Sequence, residues 1–293
     1  MIHIPSQLSQ QAVRDYWSEK WQPLLRKLYL DKKVMEAPYA KWIYALLDGF
    51  FRLGCIPFLI DRFPWMDPKQ NNLTCIPINP DIKGSEGSGM PYHVLDHFIE
   101  TARYRVIVEV CPCRKVLGCK RYPMDVGCMM MGESAVHIPK KISREVGVNE
   151  AKSHVRRAIK AGLIPTTGRA RIDKDFFMVP EGDKLLTLCF CCECCSATRL
   201  FRYAPPEKLD RMHVPVEGLS IGVTQACDGC GQCTQACHVG AIEVRRGRAS
   251  IGKMCRLCGR CALQCPRKAI ELWLDNPKAA EDVIRRIESV VDY

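Results

Sequence analysis

The 293-residue chain contains neither a GxGxxG turn nor a GxxxxGK[ST] loop. Those loops let backbone N–H groups close on phosphates, so neither a dinucleotide domain nor a P-loop is supported. No flavin site or acid–base constellation is legible in their place, and no catalytic residue is assigned. The run of about 20 apolar residues that a membrane-spanning helix requires is also lacking. The most apolar stretch, 36–66, is interrupted by Asp48 and Arg52, and Pro57 falls in its later part. Within it Trp42, Ile43, Ala45, Leu46, Phe50, Phe51 and Leu53 read as helical. The stretch is expected to be domain core or, over 42–60, a surface for a partner subunit or peripheral membrane contact. The opening MIHIPSQLSQQAVRDYW does not read as a signal peptide, so a cytoplasmic location is expected, with membrane association through 42–60 as an option.

Cysteine is what the chain has in excess, 19 residues in all. Disulfide scaffolds belong to small secreted proteins, whereas thiolates destined for iron need a reducing cytoplasm. Two runs stand out, Cys227-x₂-Cys230-x₂-Cys233-x₃-Cys237 and Cys255-x₂-Cys258-x₂-Cys261-x₃-Cys265-Pro266. This is the ligand spacing of bacterial ferredoxins, where three thiolates hold one [4Fe-4S] cluster and the fourth reaches its neighbour. Cluster one is expected to take Cys227, Cys230, Cys233 and Cys265, and cluster two Cys237, Cys255, Cys258 and Cys261. Gly229, Gly231 and Gly259 allow backbone N–H groups to turn toward the sulfurs. Over residues 216–275 the chain resembles the dicluster ferredoxin family, in GVTQACDGCGQCTQACHVGAIEV and IGKMCRLCGRCALQCPRKAIEL. The resemblance implies an electron-transfer module. The family's proline after each fourth cysteine survives as Pro266 but is replaced by His238 after Cys237. That histidine reads as a surface residue, with tuning of cluster two as the other option.

Upstream, Cys111, Cys113, Cys119 and Cys128 fall within VEVCPCRKVLGCKRYPMDVGCMMMGE, a spacing that matches neither a ferredoxin run nor a zinc finger. They read as a four-ligand loop for a third [4Fe-4S] cluster, with a mononuclear metal or buried unligated thiols as alternatives. Arg114, Lys115, Lys120 and Arg121 would offset its negative charge. The tract Cys189-Phe190-Cys191-Cys192-Glu193-Cys194-Cys195 carries too many thiols for one cube. It completes a fourth cluster, lends a ligand to the cluster near Cys111, or forms a thiol redox site; Leu185, Leu186 and Leu188 read as the buried strand that delivers it. Over about residues 75–272 the arrangement is similar to multi-cysteine 4Fe-4S binding proteins of anaerobic bacteria and archaea. That likeness implies cluster binding and a metal role for the tract, and supplies no substrate.

An α+β fold is expected. Residues 1–74 form a helical N-terminal region, 75–215 a cysteine-rich cluster domain, 216–275 the dicluster ferredoxin domain and 276–293 a C-terminal helix begun by Asn276-Pro277. A helix follows Asn149 as cap, with Ala151, Val155, Ala158 and Ile159 on its apolar face and Gly162 at its end. A hairpin after Leu163 would make this segment winged-helix-like, with Lys152, Arg156, Arg157 and Lys160 on the polar face. The formal charge of +11 falls on cluster binding, since each cluster with four thiolates contributes about −2. Nucleic acid is therefore not the expected partner. The leading function is an iron–sulfur protein or subunit passing electrons between a low-potential donor and a larger partner oxidoreductase, rather than an independent enzyme. The alternatives are a redox enzyme with a reactive cluster or thiol at Cys189–Cys195 and an iron–sulfur DNA-binding sensor.

Overall fold

Methionine and β-branched residues build the main sheet. A computed structural model describes residues 67–79, 82–84 and 90–293, with Ala45 and Gly49. Strands β1 (Asn72–Cys75), β2 (Arg105–Val108), β3 (Met129–Met131), β4 (Ser143–Glu145), β5 (Ile164–Arg169) and β6 (Leu186–Cys191) form one sheet in the order β1-β5-β6-β3-β2-β4. All its pairs are antiparallel. Side chains alternate across a strand, so β3 sends Met129 and Met131 into one core and Met130 into the other. All three are fully buried, and each such side chain contributes about 1.5–3 kcal/mol.

On the Met129 side lie helices α1 (Tyr92–Thr101) and α3 (Val148–Lys160), which bring Leu95, Phe98, Ile99, Val155 and Ala158 to the core. The opposite core holds Val106, Val108, Ile138 and Phe177, the last from α4 (Arg171–Phe177). The short helix α2 (Pro112–Val116) opens on Pro112, whose missing N–H costs nothing at that position. A further helix, α5 (Pro206–Met212), packs on β1 and leads toward the C-terminal part.

There, β7 (Leu219–Val223) pairs with β10 (Ile270–Leu274), and β8 (Ile242–Arg245) with β9 (Arg248–Ile251). Two single-turn helices, α6 (Gln232–Ala236) and α7 (Arg260–Leu263), follow glycines in the left-handed region, Gly231 and Gly259. This part is docked on the rest of the protein. Ile78 N–H donates to Cys258 O at 3.2 Å, and Lys83 exchanges backbone bonds with Leu272 and Leu274 at 3.0 and 2.8 Å. The last helix, α8 (Ala279–Glu288), lies on α1, where Glu288 accepts from His97 at 2.9 Å and Tyr293 meets Phe98 edge-on.

The architecture is mixed α and β. Three local expectations need correction. Helix α3 starts at Val148 with Gly147 as its cap, so the Asn149 side chain does not cap it. The strands after Leu163, β5 and β6, do pair antiparallel, but α4 lies between them and both are inner strands of the six-stranded sheet, so they form no free-standing wing. Asn276 closes a turn ahead of α8, accepting from Lys278 N–H at 3.0 Å, and so Pro277 lies outside the helix. The basic face of α3 is engaged within the chain. Lys152 bonds Glu100, Arg156 lies 3.3 Å from Asp96, and Arg157 lies 2.5 Å from Asp125. The apolar stretch 36–66 lies outside the described residues, apart from Ala45 and Gly49. Among the described residues no helix is long and apolar enough to cross a membrane.

Gly168 shows how closely β1 and β5 approach. Its φ is +132°, and a Cβ there would stand 1.9 Å from Asn72 O. Gly168→Ala is expected to destabilise the protein by about 2–4 kcal/mol through strain and overpacking. Urea unfolding measures it; an unchanged midpoint would contradict this register.

Candidate metal centres

The two C-terminal cysteine runs converge on two cavities. Cavity one is lined by Cys227, Cys230, Cys233 and Cys265, with Asp228, Pro266 and Arg267 at its edge. Cavity two is lined by Cys237, Cys255, Cys258 and Cys261, with His238 and Arg256. Each cavity thus takes three thiols from one run and the fourth from the other. Backbone N–H groups reach several of these sulfurs: Ala249 to Cys227 at 3.4 Å, Ala269 to Cys265 at 3.3 Å, Ala241 to Cys237 at 3.2 Å and Leu257 to Cys255 at 3.4 Å. Such donors stabilise sulfur as an anion, whereas burial opposes it and pushes Cys258 up to about 12. A bound cation resolves this conflict, so the donor set fits a [4Fe-4S] core in each cavity.

His238 is not on the surface. It is 1 % exposed, lines cavity two, and neither ring nitrogen has a hydrogen-bond partner among the described residues. Burial, with Arg260, Arg202 and Arg256 nearby, lowers its pKa to about 3, so the ring is neutral and keeps one N–H to donate.

The upstream cysteines divide differently from the sequence grouping. Cys119 stands with Cys192, Cys194 and Cys195, all four sulfurs within 4.8 Å of one another. The Sγ atoms of Cys119 and Cys194 are 3.7 Å apart, and those of Cys194 and Cys195 3.5 Å. Cys111, Cys113 and Cys128 stay together and are joined by Cys189, whose Sγ lies 3.4 Å from that of Cys128. These four and Cys191 line a cavity of about 120 Å³ walled by Phe176, Phe177, Phe190 and Phe201. The division has a local cause. Strand alternation sets Cys189 and Cys191 on one side of β6, and the turn beyond carries Cys192, Cys194 and Cys195. Helix α2 and the left-handed Gly118 then carry the chain past Cys113 and bring Cys119 to that turn.

Three buried cations frame these thiols. Arg114 is 1 % exposed and donates to the carbonyls of Pro123 at 2.9 Å, Phe190 at 2.7 Å and Val126. No carboxylate pairs with it among the described residues. Burial lowers the pKa of its guanidinium, yet the charges of Cys111, Cys128, Cys192 and Cys113 outweigh that and hold it above the usual value. Arg260, beside Cys261, pairs with Glu193 at 2.5 Å and donates to Cys191 O at 3.0 Å and to Gly162 O. Tyr122 donates to the same Glu193 carboxylate at 2.8 Å. Arg256 donates to His213 O at 2.8 Å and pairs with Asp210 at 2.8 Å.

One functional candidate carried no sequence signal. Cys75, a lone cysteine ending β1, is 1 % exposed and packs with Ile78, Ile164 and Cys191, with Cys258 and Cys189 against the same group. Its Sγ lies 3.6 Å from His213 Nε2. It therefore bridges a thiol of cavity two and a thiol of the larger cavity.

Compared with known proteins, the chain matches no family model, and neither a curated protein nor a solved structure matches it. Glu193→Gln would leave the buried Arg260 without its counter-charge. The variant is expected to lose about 3 kcal/mol of stability, as broken buried ion pairs do. Denaturant unfolding under anaerobic conditions measures this, and a loss under 1 kcal/mol would show that Arg260 is neutralised by other groups.

Proposed function

We propose that the chain is an iron–sulfur electron-transfer protein that holds two [4Fe-4S] clusters in residues 216–275 and passes electrons from a low-potential donor toward a larger partner oxidoreductase. The observation that carries this reading is the crossed convergence of the two cysteine runs on two separate cavities. When bound, such clusters supply reversible one-electron transfer without proton or group transfer.

The chain's own residues give the transfer a direction. Cys230, in cavity one, is exposed, so this end meets the donor. The β8–β9 turn adjoins it, since a Cβ on Gly229 would touch Gly247 O, and Arg245, Arg246 and Arg248 there are exposed. A donor with an acidic face fits that turn. Cavity two lies inward. Its Cys258 adjoins Cys75 and, through it, Cys191, while Arg260 ties the Cys261 loop to Glu193. Backbone N–H groups and the neutral His238 supply positive dipoles around the sulfur, which favour the reduced state.

A second reading, a redox enzyme, is favoured by one observation: the cavity of about 120 Å³ beside Cys111, Cys113, Cys128, Cys189 and Cys191 has room for a small molecule. The DNA-sensor reading is weakened by the ion pairs that occupy Lys152, Arg156 and Arg157.

Anaerobically purified protein is expected to hold about 8 irons in its ferredoxin module, seen as two reducible cubane signals by paramagnetic spectroscopy. Cys230→Ala should remove or convert one signal and leave the other, whereas Cys113→Ala should preserve both. Iron well below that amount, or loss of both signals in Cys113→Ala, would refute the assignment. Turnover by the isolated chain of a small electron acceptor, abolished by Cys113→Ala with both signals intact, would instead favour the enzyme reading.

A further inference from the structure

We infer that Cys119, Cys192, Cys194 and Cys195 form a mononuclear tetrathiolate metal site, built for one tetrahedral Zn²⁺ or Fe²⁺ ion and separate from the cubane sites. Distance carries the inference. A metal–sulfur bond of about 2.3 Å places four ligands at the corners of a tetrahedron with edges of about 3.8 Å. The separations of 3.7 Å between Cys119 and Cys194 and 3.5 Å between Cys194 and Cys195 lie at that edge length, and all four sulfurs lie within 4.8 Å. In a cubane each thiolate binds its own iron, so the sulfurs stand apart by the width of the whole core. The eight thiols of the two ferredoxin cavities follow that wider pattern: among the described residues no other group of three ligand side chains comes within 4.8 Å.

Chemistry and surroundings agree. All four donors are sulfur, a set that selects soft or borderline ions and excludes Mg²⁺ and Ca²⁺. Glu193, the one carboxylate inside the tract, is engaged by Arg260 and Tyr122. Four thiolates around a divalent ion carry about −2 in total. The buried Arg114 guanidinium, which interacts electrostatically with Cys192, supplies compensating charge. Cys192 and Cys195 are buried and Cys194 is half-buried, so the ion would be shielded without being sealed from entry. Each thiol still protonated in the free site gives its proton to solvent as the ion binds, and no oxidant or reductant is required.

The test uses the full chain and Co²⁺ as the probe ion. Protein produced and kept without oxygen is expected to contain about one zinc or iron per chain beyond its cluster iron. Loading with Co²⁺ should give the intense visible absorption of tetrahedral cobalt bound by thiolates. Cys119→Ser and Cys194→Ser should each weaken cobalt binding at least tenfold and leave the cubane signals unchanged. Cobalt bound equally well by both variants would overturn the site. So would loss of a cubane signal in either variant, or a disulfide among the four found by mass after thiol alkylation. If neither variant folds, the wild-type spectrum decides, since the lack of a thiolate–cobalt band is itself refuting. Absence of cubane signals with the cobalt band present would count against the proposed function and leave this site standing.

Discussion

Buried positive charge has to be answered by buried negative charge, and three guanidinium groups impose that requirement here. Arg114, Arg256 and Arg260 are each no more than 2 % exposed. An unpaired ion in such a position costs several kcal/mol, so what surrounds it is constrained. Arg260 meets the condition with Glu193 and in doing so clamps four pieces together: the Cys191 carbonyl at the end of β6, the Gly162 carbonyl after α3, the Tyr122 ring and its own helix α7. Among the described residues Arg114 has carbonyls for hydrogen bonding and cysteines, with no carboxylate pair, for charge. Its position is stable to the degree that those cysteines are thiolates, and thiolates packed this closely are stable to the degree that they bind a cation. A metal bound by those cysteines, as proposed, would therefore couple its loading to folding through this one side chain.

What could be read from the sequence follows from the range of each interaction. The ferredoxin runs are local: steps of three residues, glycines at the turns and a fourth thiol just beyond. The crossed quartets around the two cavities have the membership expected from that spacing, because α6, α7 and the short hairpins leave the chain few other paths. The upstream thiols are different. Cys119 and Cys194 are separated by 75 residues, and Cys128 and Cys189 by 61. Proximity in the chain groups Cys119 with Cys111, Cys113 and Cys128, whereas the fold sets Cys119 beside Cys192, Cys194 and Cys195 and, through the pairing of β3 with β6, Cys189 beside Cys128. That register sets Met129 opposite Leu188 and thereby brings Cys128 beside Cys189. Nothing in a single sequence specifies which antiparallel neighbour a three-residue methionine strand will choose.

Long-range packing also decides the environment of residues whose local sequence points elsewhere. His238 follows the last cysteine of its run, where the related pattern has proline, and a polar residue in a loop reads as exposed. Its surroundings come from distant segments: Arg202, 36 residues upstream, donates to the His238 carbonyl at 3.0 Å, and Arg256 and Arg260 also lie near the ring. Basic residues on α3 read as a ligand-binding face because Asp96 and Glu100 lie on another helix, α1, 52 to 60 residues away. Cys75 had no motif to mark it, yet the antiparallel β1–β5 register places it opposite Thr166, on the strand that in turn pairs with Cys189 and Cys191.

Two kinds of thiol grouping within one small fold have a physical rationale. With the proposed clusters bound, the wide quartets at the C-terminal end would spread a one-electron change over several irons and so need little rearrangement of the protein. With the inferred ion bound, the compact quartet would tie the Cys119 loop to the turn after β6 more firmly than weak S–H contacts could. The turn is also where Glu193 reaches Arg260, and Arg260 adjoins Cys261 of cavity two. A metal in the compact site would therefore stiffen the support of the inner cavity from behind. Between them lie the half-buried Cys258 and the buried Cys75 and Cys191, opening on the larger phenylalanine-walled cavity. The compact quartet, cavity two and the larger cavity thus follow one another in immediate succession, so that a change of charge at one is felt through low-dielectric protein by the next.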